Sequence, residues 1–111
     1  MKKSDVLIIG AGPAGSTVAK ETAKDGFSTL LVEKDTFPGE NKICAGNINN
    51  SLLDLNVPER IVEKKICGSI THFSWGEKIT AGDSINVYRR DFDNFLANEA
   101  VKREALLLTS T

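Results

Sequence analysis

Asp5-Val6-Leu7-Ile8-Ile9-Gly10-Ala11-Gly12-Pro13-Ala14-Gly15 opens the chain, and Thr29-Leu30-Leu31-Val32-Glu33 closes the unit it begins. Val6–Ile9 is apolar at successive positions, as buried parallel strands are. Gly10, Gly12 and Gly15 then form a G-x-G-x-x-G turn into a helical stretch. Gly10 lets the chain turn off the strand. Gly12 has no Cβ, so backbone can approach a pyrophosphate, and Gly15 lets the helix lie close on the strand. The helix start offers N–H groups and a positive dipole end to phosphates. Glu33 falls roughly twenty residues beyond the turn, the offset at which an acid meets a ribose hydroxyl. The bland alternative is an ordinary βαβ unit with a Gly-rich turn. Strand, turn, helix, strand and terminal acid together favour a dinucleotide site.

The rest of the composition narrows the function classes. The chain has 111 residues, enough for one small domain, and a net charge of −1 with both signs interspersed. That gives no support for a nucleic-acid partner. No apolar run approaches the ~20 residues of a membrane span. Met1-Lys2-Lys3 leads directly into the first strand, so no signal peptide is expected. Cys44 and Cys67 have no zinc-type spacing, so no metal site is expected. A cytoplasmic protein with reduced thiols is the expectation.

Outward from the motif, residues 13–25 read as a helix, with Pro13 in its first turn and Gly26 as its stop. Parallel strands are expected near 5–9, 28–32 and 105–109. Residues 34–50 read as a functional loop, and 51–66 as one or two short helices broken at Pro58. Residues 68–88 read as an antiparallel meander turning at Gly76 and at Gly82-Asp83, with Ser84–Tyr88 as a further strand. Residues 91–103 read as an amphipathic helix capped by Asp91, with Phe92, Phe95, Leu96 and Val101 near one face. The fold class is α/β: a Rossmann-like, three-layer FAD/NAD(P)-binding domain with a loop and meander inserted over 34–90. It reads as incomplete. In a doubly wound sheet the first strand is central, and here Val6–Ile9 would be a raw apolar edge. A longer parent protein is therefore expected, or a partner chain covering that edge.

Three blocks together resemble the geranylgeranyl reductase family of FAD-dependent, p-hydroxybenzoate hydroxylase-like flavoproteins. They are Asp5 to Glu33, the Pro38-Gly39-x-x-Lys42-x-Cys44-Ala45-Gly46 loop, and Arg89-x-x-Phe92-Asp93-x-x-Leu96-Ala97. The resemblance implies an oxidoreductase that uses FAD to reduce carbon–carbon double bonds of geranylgeranyl chains, as in archaeal ether-lipid biosynthesis. It implies a polyprenyl lipid substrate and an external electron donor such as NAD(P)H or ferredoxin. Carried over by position, Gly10, Gly12, Ala14 and Gly15 would hold the FAD pyrophosphate and Glu33 the adenosine ribose. Cys44, Ala45 and Asn47 would run beside the flavin, and Arg89 would contact the cofactor. The chain departs from the family at Asn47 and at Glu104, where a glycine is usual. The family's later Gly-Asp block and apolar substrate domain are absent. Any peripheral membrane contact is expected through that domain, and the 111 residues are not expected to act alone.

Individual residues have competing readings. Cys44 is the one tentative catalytic candidate, as a redox or substrate-side thiol; its bland reading is a small residue in a tight loop. Lys42 would neutralise a phosphate or the reduced flavin, or simply be solvated. Arg89 and Arg90, read as strand neighbours, would point oppositely, with Arg89 toward the cofactor. His72, without a carboxylate nearby in sequence, reads as a structural or surface residue. Phe73 and Trp75 read as packing residues, and Cys67 as a buried filler. Asp91 and Asp93 suit a helix start, with Asp93 capping it or holding Arg89. Glu33 suits FAD or NAD alike; the 38–47 loop and the Arg89 block tip the choice to FAD. The alternatives are another flavin enzyme of the same group, a monooxygenase or halogenase, or a truncated, non-catalytic nucleotide-binding fragment.

Overall fold

The computed structural model describes residues 3–49 and 56–111. The expected helical content over 51–55 lies outside the described residues. The chain forms two compact units, one of Met1–Ile43 with Arg89–Thr111 and one of Cys44–Tyr88.

The first unit is built on a parallel sheet. Strands β1 (Val6–Ile9), β2 (Thr29–Val32) and β6 (Leu106–Leu108) stand in the order β1-β2-β6. Leu7 is level with Leu30 and Leu106, and Ile9 with Val32 and Leu108. Helix α1 (Pro13–Lys24) joins β1 to β2, and helix α2 (Arg89–Lys102) precedes β6. Both helices pack on each other and on one face of the sheet. The core between them is Ala11, Ala19, Leu31, Ala100 and Ala105, flanked by Ile8, Ala23 and Leu107. Alanines bring the backbones close, and Leu31 fills the space they leave. Leu7, Ile9 and Leu106 point to the other face and are exposed. Among the described residues β1 pairs with β2 alone, so the apolar edge read from the sequence is present.

Both helices end in the same backbone motif. At α1 the Gly26 N–H donates to the Ala23 carbonyl and the Phe27 N–H to the Thr22 carbonyl, with Gly26 at φ +93°. At α2 the Glu104 N–H donates to Val101 and the Ala105 N–H to Ala100, with Glu104 at φ +74°. These paired bonds are a Schellman closure, which needs a left-handed residue. Glycine meets that need without a Cβ penalty, and glutamate does not. Helix α2 begins at Arg89, so Asp91 is not its cap but lies in its first turn. There its charge still favours the positive dipole end. Phe92, Phe95 and Leu96 are buried, whereas Val101 is exposed.

The second unit is a three-stranded antiparallel sheet, β3 (Asn47–Asn49), β5 (Gly76–Asn86) and β4 (Lys64–Phe73), in that order. After Pro58 comes a single 3-10 turn, Glu59–Ile61, and then strand, not helix. The expected turn at Gly82-Asp83 is a β-bulge instead. Ile66 pairs with Ser84 and Gly68 with Ala81, so Gly82 and Asp83 face Cys67. Strand β5 therefore runs on to Asn86, and Ser84–Tyr88 is not a separate strand. Ile48 and Ile85, directly opposite in the register, are both buried. Cys67 is exposed, not a buried filler. Beyond the bulge, β4 and β5 pair, among the described residues, only with each other, forming a two-stranded ribbon turning at Ser74-Trp75. On it His72 Nδ1 lies 3.0 Å from Glu77 Oε1, a carboxylate partner supplied by the hairpin. Phe73 and Trp75 are exposed and stack on each other, so they are not packing residues.

Candidate cofactor site

The turn after β1 is fixed by backbone bonds. Gly10, at φ +101°, donates its N–H to the Val32 carbonyl at 2.7 Å. Gly12 caps α1 in extended conformation with no side-chain cap, and Pro13 follows. No acid stands in the first helical turn, and the Ala14 and Gly15 N–H groups there have no intrahelical acceptor at the positive dipole end. A Cβ on Gly10 or Gly12 would meet nothing within 4 Å. A Cβ on Gly15 would overlap the Gly10 carbonyl and press on the Ile8 side chain. The first two glycines thus leave open room above the turn, and the third seats helix on strand. Ser16 Oγ is fully buried and has no partner among the described residues.

Glu33, at the end of β2, is only 4% exposed. Its Oε2 accepts the Ala11 N–H at 2.9 Å, and its Oε1 accepts the Asp35 N–H at 3.1 Å. Burial opposes ionisation of this carboxyl. The Asp35 and Ala11 N–H bonds, the Lys42 charge and the Lys34 N–H outweigh it and hold the group below the ordinary carboxylate range. Glu33 is thus an anion at neutral pH, tied to the glycine turn through Ala11. A cleft of about 200 Å³ opens between them, lined by Ile9, Gly10, Gly12, Val32, Glu33 and Lys42, with Lys34 and Thr111. An anionic acceptor, open glycines and first-turn amides fit the ribose–pyrophosphate stretch of a dinucleotide. A larger cavity of about 660 Å³ lies within the antiparallel unit, beside Cys67 and Ile66, and holds none of these residues.

Sequence reading missed the Ala11–Glu33 bond because its donor is a backbone group. Lys42 is brought to this cleft. Arg89 and Arg90 lie in the first turn of α2, about 100° apart rather than on opposite strand faces. Arg89 Nε and Nη2 donate to Asp93 Oδ1 and Oδ2 at 2.8 and 3.0 Å. Asp93 is fully buried, so of its two readings it holds Arg89. Gly39 packs on this turn: a Cβ there would lie 2.6 Å from the Arg89 carbonyl. Asn94 Nδ2 donates to the Pro38 carbonyl at 3.1 Å. The Pro38-Gly39 and Arg89–Asp93 blocks are therefore in contact.

Cys44, Ala45 and Asn47 belong to the antiparallel unit. Cys44 is exposed, and its Sγ accepts the Gly46 N–H at 3.3 Å. Ala45 is exposed. Asn47 does not carry the left-handed turn; Gly46 does, at φ +69°, closed by the Val87 N–H at 2.9 Å. Asn47 starts β3 and donates to Ser84 Oγ and Asn86 Oδ1 at 3.0 and 2.9 Å.

With this geometry in view, residues 4–105 match the pyridine nucleotide-disulphide oxidoreductase family. The chain belongs to that family. It is 33% identical over 122 residues to digeranylgeranylglycerophospholipid reductase 3 of Methanosphaera stadtmanae, covering 100% of this chain and 31% of that protein. It is 35% identical over 113 residues to 1H-pyrrole-2-carbonyl-[peptidyl-carrier protein] brominase of Pseudoalteromonas luteoviolacea, covering 91% of this chain and 27% of that protein. The crystal structure of a geranylgeranyl bacteriochlorophyll reductase-like protein from Thermoplasma acidophilum superposes with a TM-score of 0.88 at 25% identity, covering 96% of this chain and 30% of that one. The resemblance carried by the three sequence blocks is borne out by these relatives, and the Rossmann-like fold with it. The chain spans about three tenths of the length of the proteins it matches.

Proposed function

We propose that this chain holds the adenosine and pyrophosphate half of an FAD site in a reductase of geranylgeranyl chains, of the kind that saturates archaeal ether lipids. The observation that carries the reading is Glu33, buried, ionised and bonded to the glycine turn beside an open cleft. Each Glu33 oxygen already accepts one N–H and retains acceptor capacity for a ribose hydroxyl. Its charge disfavours a 2′-phosphate, which selects FAD or NAD over NADP. Gly10 and Gly12 leave the pyrophosphate room, the Ala14 and Gly15 amides face its charge, and Lys42 offers a cation at the rim. FAD, when bound, supplies the two-electron chemistry that alkene reduction requires. Arg89, held by Asp93, and the Cys44-Ala45-Gly46-Asn47 loop would serve its flavin side, with Cys44 as the candidate nearest in kind to a redox group. The external donor would be NAD(P)H or ferredoxin, and the substrate a polyprenyl lipid.

The relatives named as glycerophospholipid reductases support the substrate class. The brominase at 35% identity supports a second reading, a flavin-dependent halogenase. The first test is flavin absorbance of the purified chain after FAD is added and excess removed. Retention in the chain, lost in Glu33→Gln, is the expected result; a colourless protein even with full-length sequence appended would overturn the cofactor reading. Reduction of a geranylgeranyl lipid by that full-length protein, against halide-dependent product formation, then separates the two activities.

A further inference from the structure

Asn94 does not line the Glu33 cleft, yet it bonds the loop that supplies part of the cleft's wall. Asparagine is a weak helix former, and Asn94 stands inside α2. Its Nδ2 donates to the Arg90 carbonyl one turn back at 2.8 Å and to the Pro38 carbonyl at 3.1 Å. A side-chain amide nitrogen has two N–H donors, so both are used. Beside this bond Gly39 is buried at φ +84°. A Cβ there would lie 2.6 Å from the Arg89 carbonyl oxygen and 2.9 Å from the Arg90 Cα. Loop backbone and helix backbone thus meet directly. Pro38, Gly39, Lys42 and Asn94 all belong to the parallel unit.

The loop that leaves β2 has two attachments. At its base the Thr111 N–H donates to the Glu33 carbonyl at 3.0 Å, and the Ser110 N–H to the Asp35 carbonyl at 2.9 Å. Its crest, Pro38-Gly39, is held on α2. Between the two it is bonded to itself. Glu40 Oε2 accepts the Thr36 N–H and hydroxyl at 2.8 and 2.7 Å, and Asn41 Nδ2 donates to Asp35 Oδ1 at 3.3 Å. Closed in this way, the loop is a compact unit. Lys42 follows shortly after the crest and lines the Glu33 cleft. It is exposed, so its place is set by the backbone that carries it. We propose that Asn94 is a positioning residue of the nucleotide site: its bond to Pro38 holds the loop on α2 and so keeps the Lys42 ammonium at the cleft, where it meets the diphosphate of a nucleotide. The part played by Lys42 toward a diphosphate rests on the cofactor reading above; the latch between Asn94 and Pro38 does not.

ADP is the probe, because it carries the adenosine and the diphosphate without the flavin. Lys42→Ala is expected to weaken ADP binding, read by calorimetry at low salt, about fivefold. Asn94→Ala is expected to weaken it by a similar factor, and the two together no further than either alone. Gly39→Ala drives the loop off α2 from the other side and is expected to act as Asn94→Ala does, so the test stands on either variant. Circular dichroism confirms that the variants are folded. A merely structural Asn94 would leave the Lys42 effect at full size in the Asn94→Ala background, and that additivity would overturn the proposal. A second readout needs no ligand. Against the cost of burial, the Asp35 and Ala11 N–H bonds and then the Lys42 charge hold Glu33 below the ordinary carboxylate range. Lys42→Ala is expected to raise the Glu33 pKa, read by NMR of its carboxyl carbon, and Asn94→Ala to raise it likewise, with no further rise in the double variant. A rise in Lys42→Ala beside an unmoved Glu33 in Asn94→Ala would overturn the proposal. Failure of the unaltered protein to bind ADP, even with full-length sequence appended, would sink the cofactor reading, and the Glu33 titration would still decide the latch.

Discussion

The parallel unit and the antiparallel unit use their apolar residues in opposite ways. In the first, Leu31 and four alanines are sealed between two helices and one sheet face. In the second, the hairpin end leaves two isoleucines, a phenylalanine and a tryptophan in the open. One glycine and one ion pair taken from each unit show the same difference. At Gly15 a Cβ would meet the Gly10 carbonyl and the Ile8 side chain, while at Gly82 in the bulge it would meet nothing within 4 Å. Asp93 is fully buried under Arg89, while His72 and Glu77 form their pair in solvent. One unit buries its apolar residues between helices and sheet, and the hairpin end of the other leaves them exposed.

The sharpest way to break this comparison is a pair of equivalent substitutions. Gly15→Ala, whose Cβ meets the Gly10 carbonyl, is expected to cost about 3 kcal/mol. Gly82→Ala is expected to change stability by under about 0.5 kcal/mol. Equal shifts in urea midpoints would erase the distinction. Next come the ion pairs. Asp93→Ala removes the buried acceptor of both Arg89 hydrogen bonds and is expected to cost about 2 kcal/mol. Glu77→Ala removes a solvated partner and is expected to cost about 0.3 kcal/mol. Thermal melts of the two variants decide it.

Glu33 gives a pH test. Its folded pKa lies below the ordinary 4.5. The stability it contributes is therefore fully present above that value and is lost as pH falls through the folded pKa. Glu33→Gln is expected to cost about 1 kcal/mol at neutral pH, with the gap to the parent closing in acid. A gap that widened in acid would refute the assignment. The smallest effect compares the two helix ends. Glu104→Gly is expected to raise stability by about 0.7 kcal/mol, and Gly26→Ala to lower it by a similar amount. Opposite shifts in melting temperature are the check.

Much of the parallel unit was legible because its signals are local. A strand–glycine–helix–strand–acid order needs no knowledge of distant residues, and its three strands fall where the sequence puts them. The antiparallel unit departs from its sequence pattern where register decides structure. Gly82-Asp83 looks like a turn in sequence; only pairing with Ile66 and Gly68 makes it a bulge. Glu77 became the partner of His72 through the hairpin, and Asn47 became a strand residue because β5 was there to receive it. In sequence Arg89 reads as a strand residue because Asp91, two residues on, looks like the helix cap. The Arg89–Asp93 pair at helical spacing was the signal that could have moved the helix start back.

The bond from Ala11 to Glu33 has a consequence for how a nucleotide would arrive. It fastens the glycine turn to the far end of β2 through the protein's own groups. The turn is thus already in shape when a phosphate meets it, and little loop entropy remains to be lost on binding. Capture becomes lock-and-key docking onto a fixed template, with a rate governed by encounter and not by rearrangement.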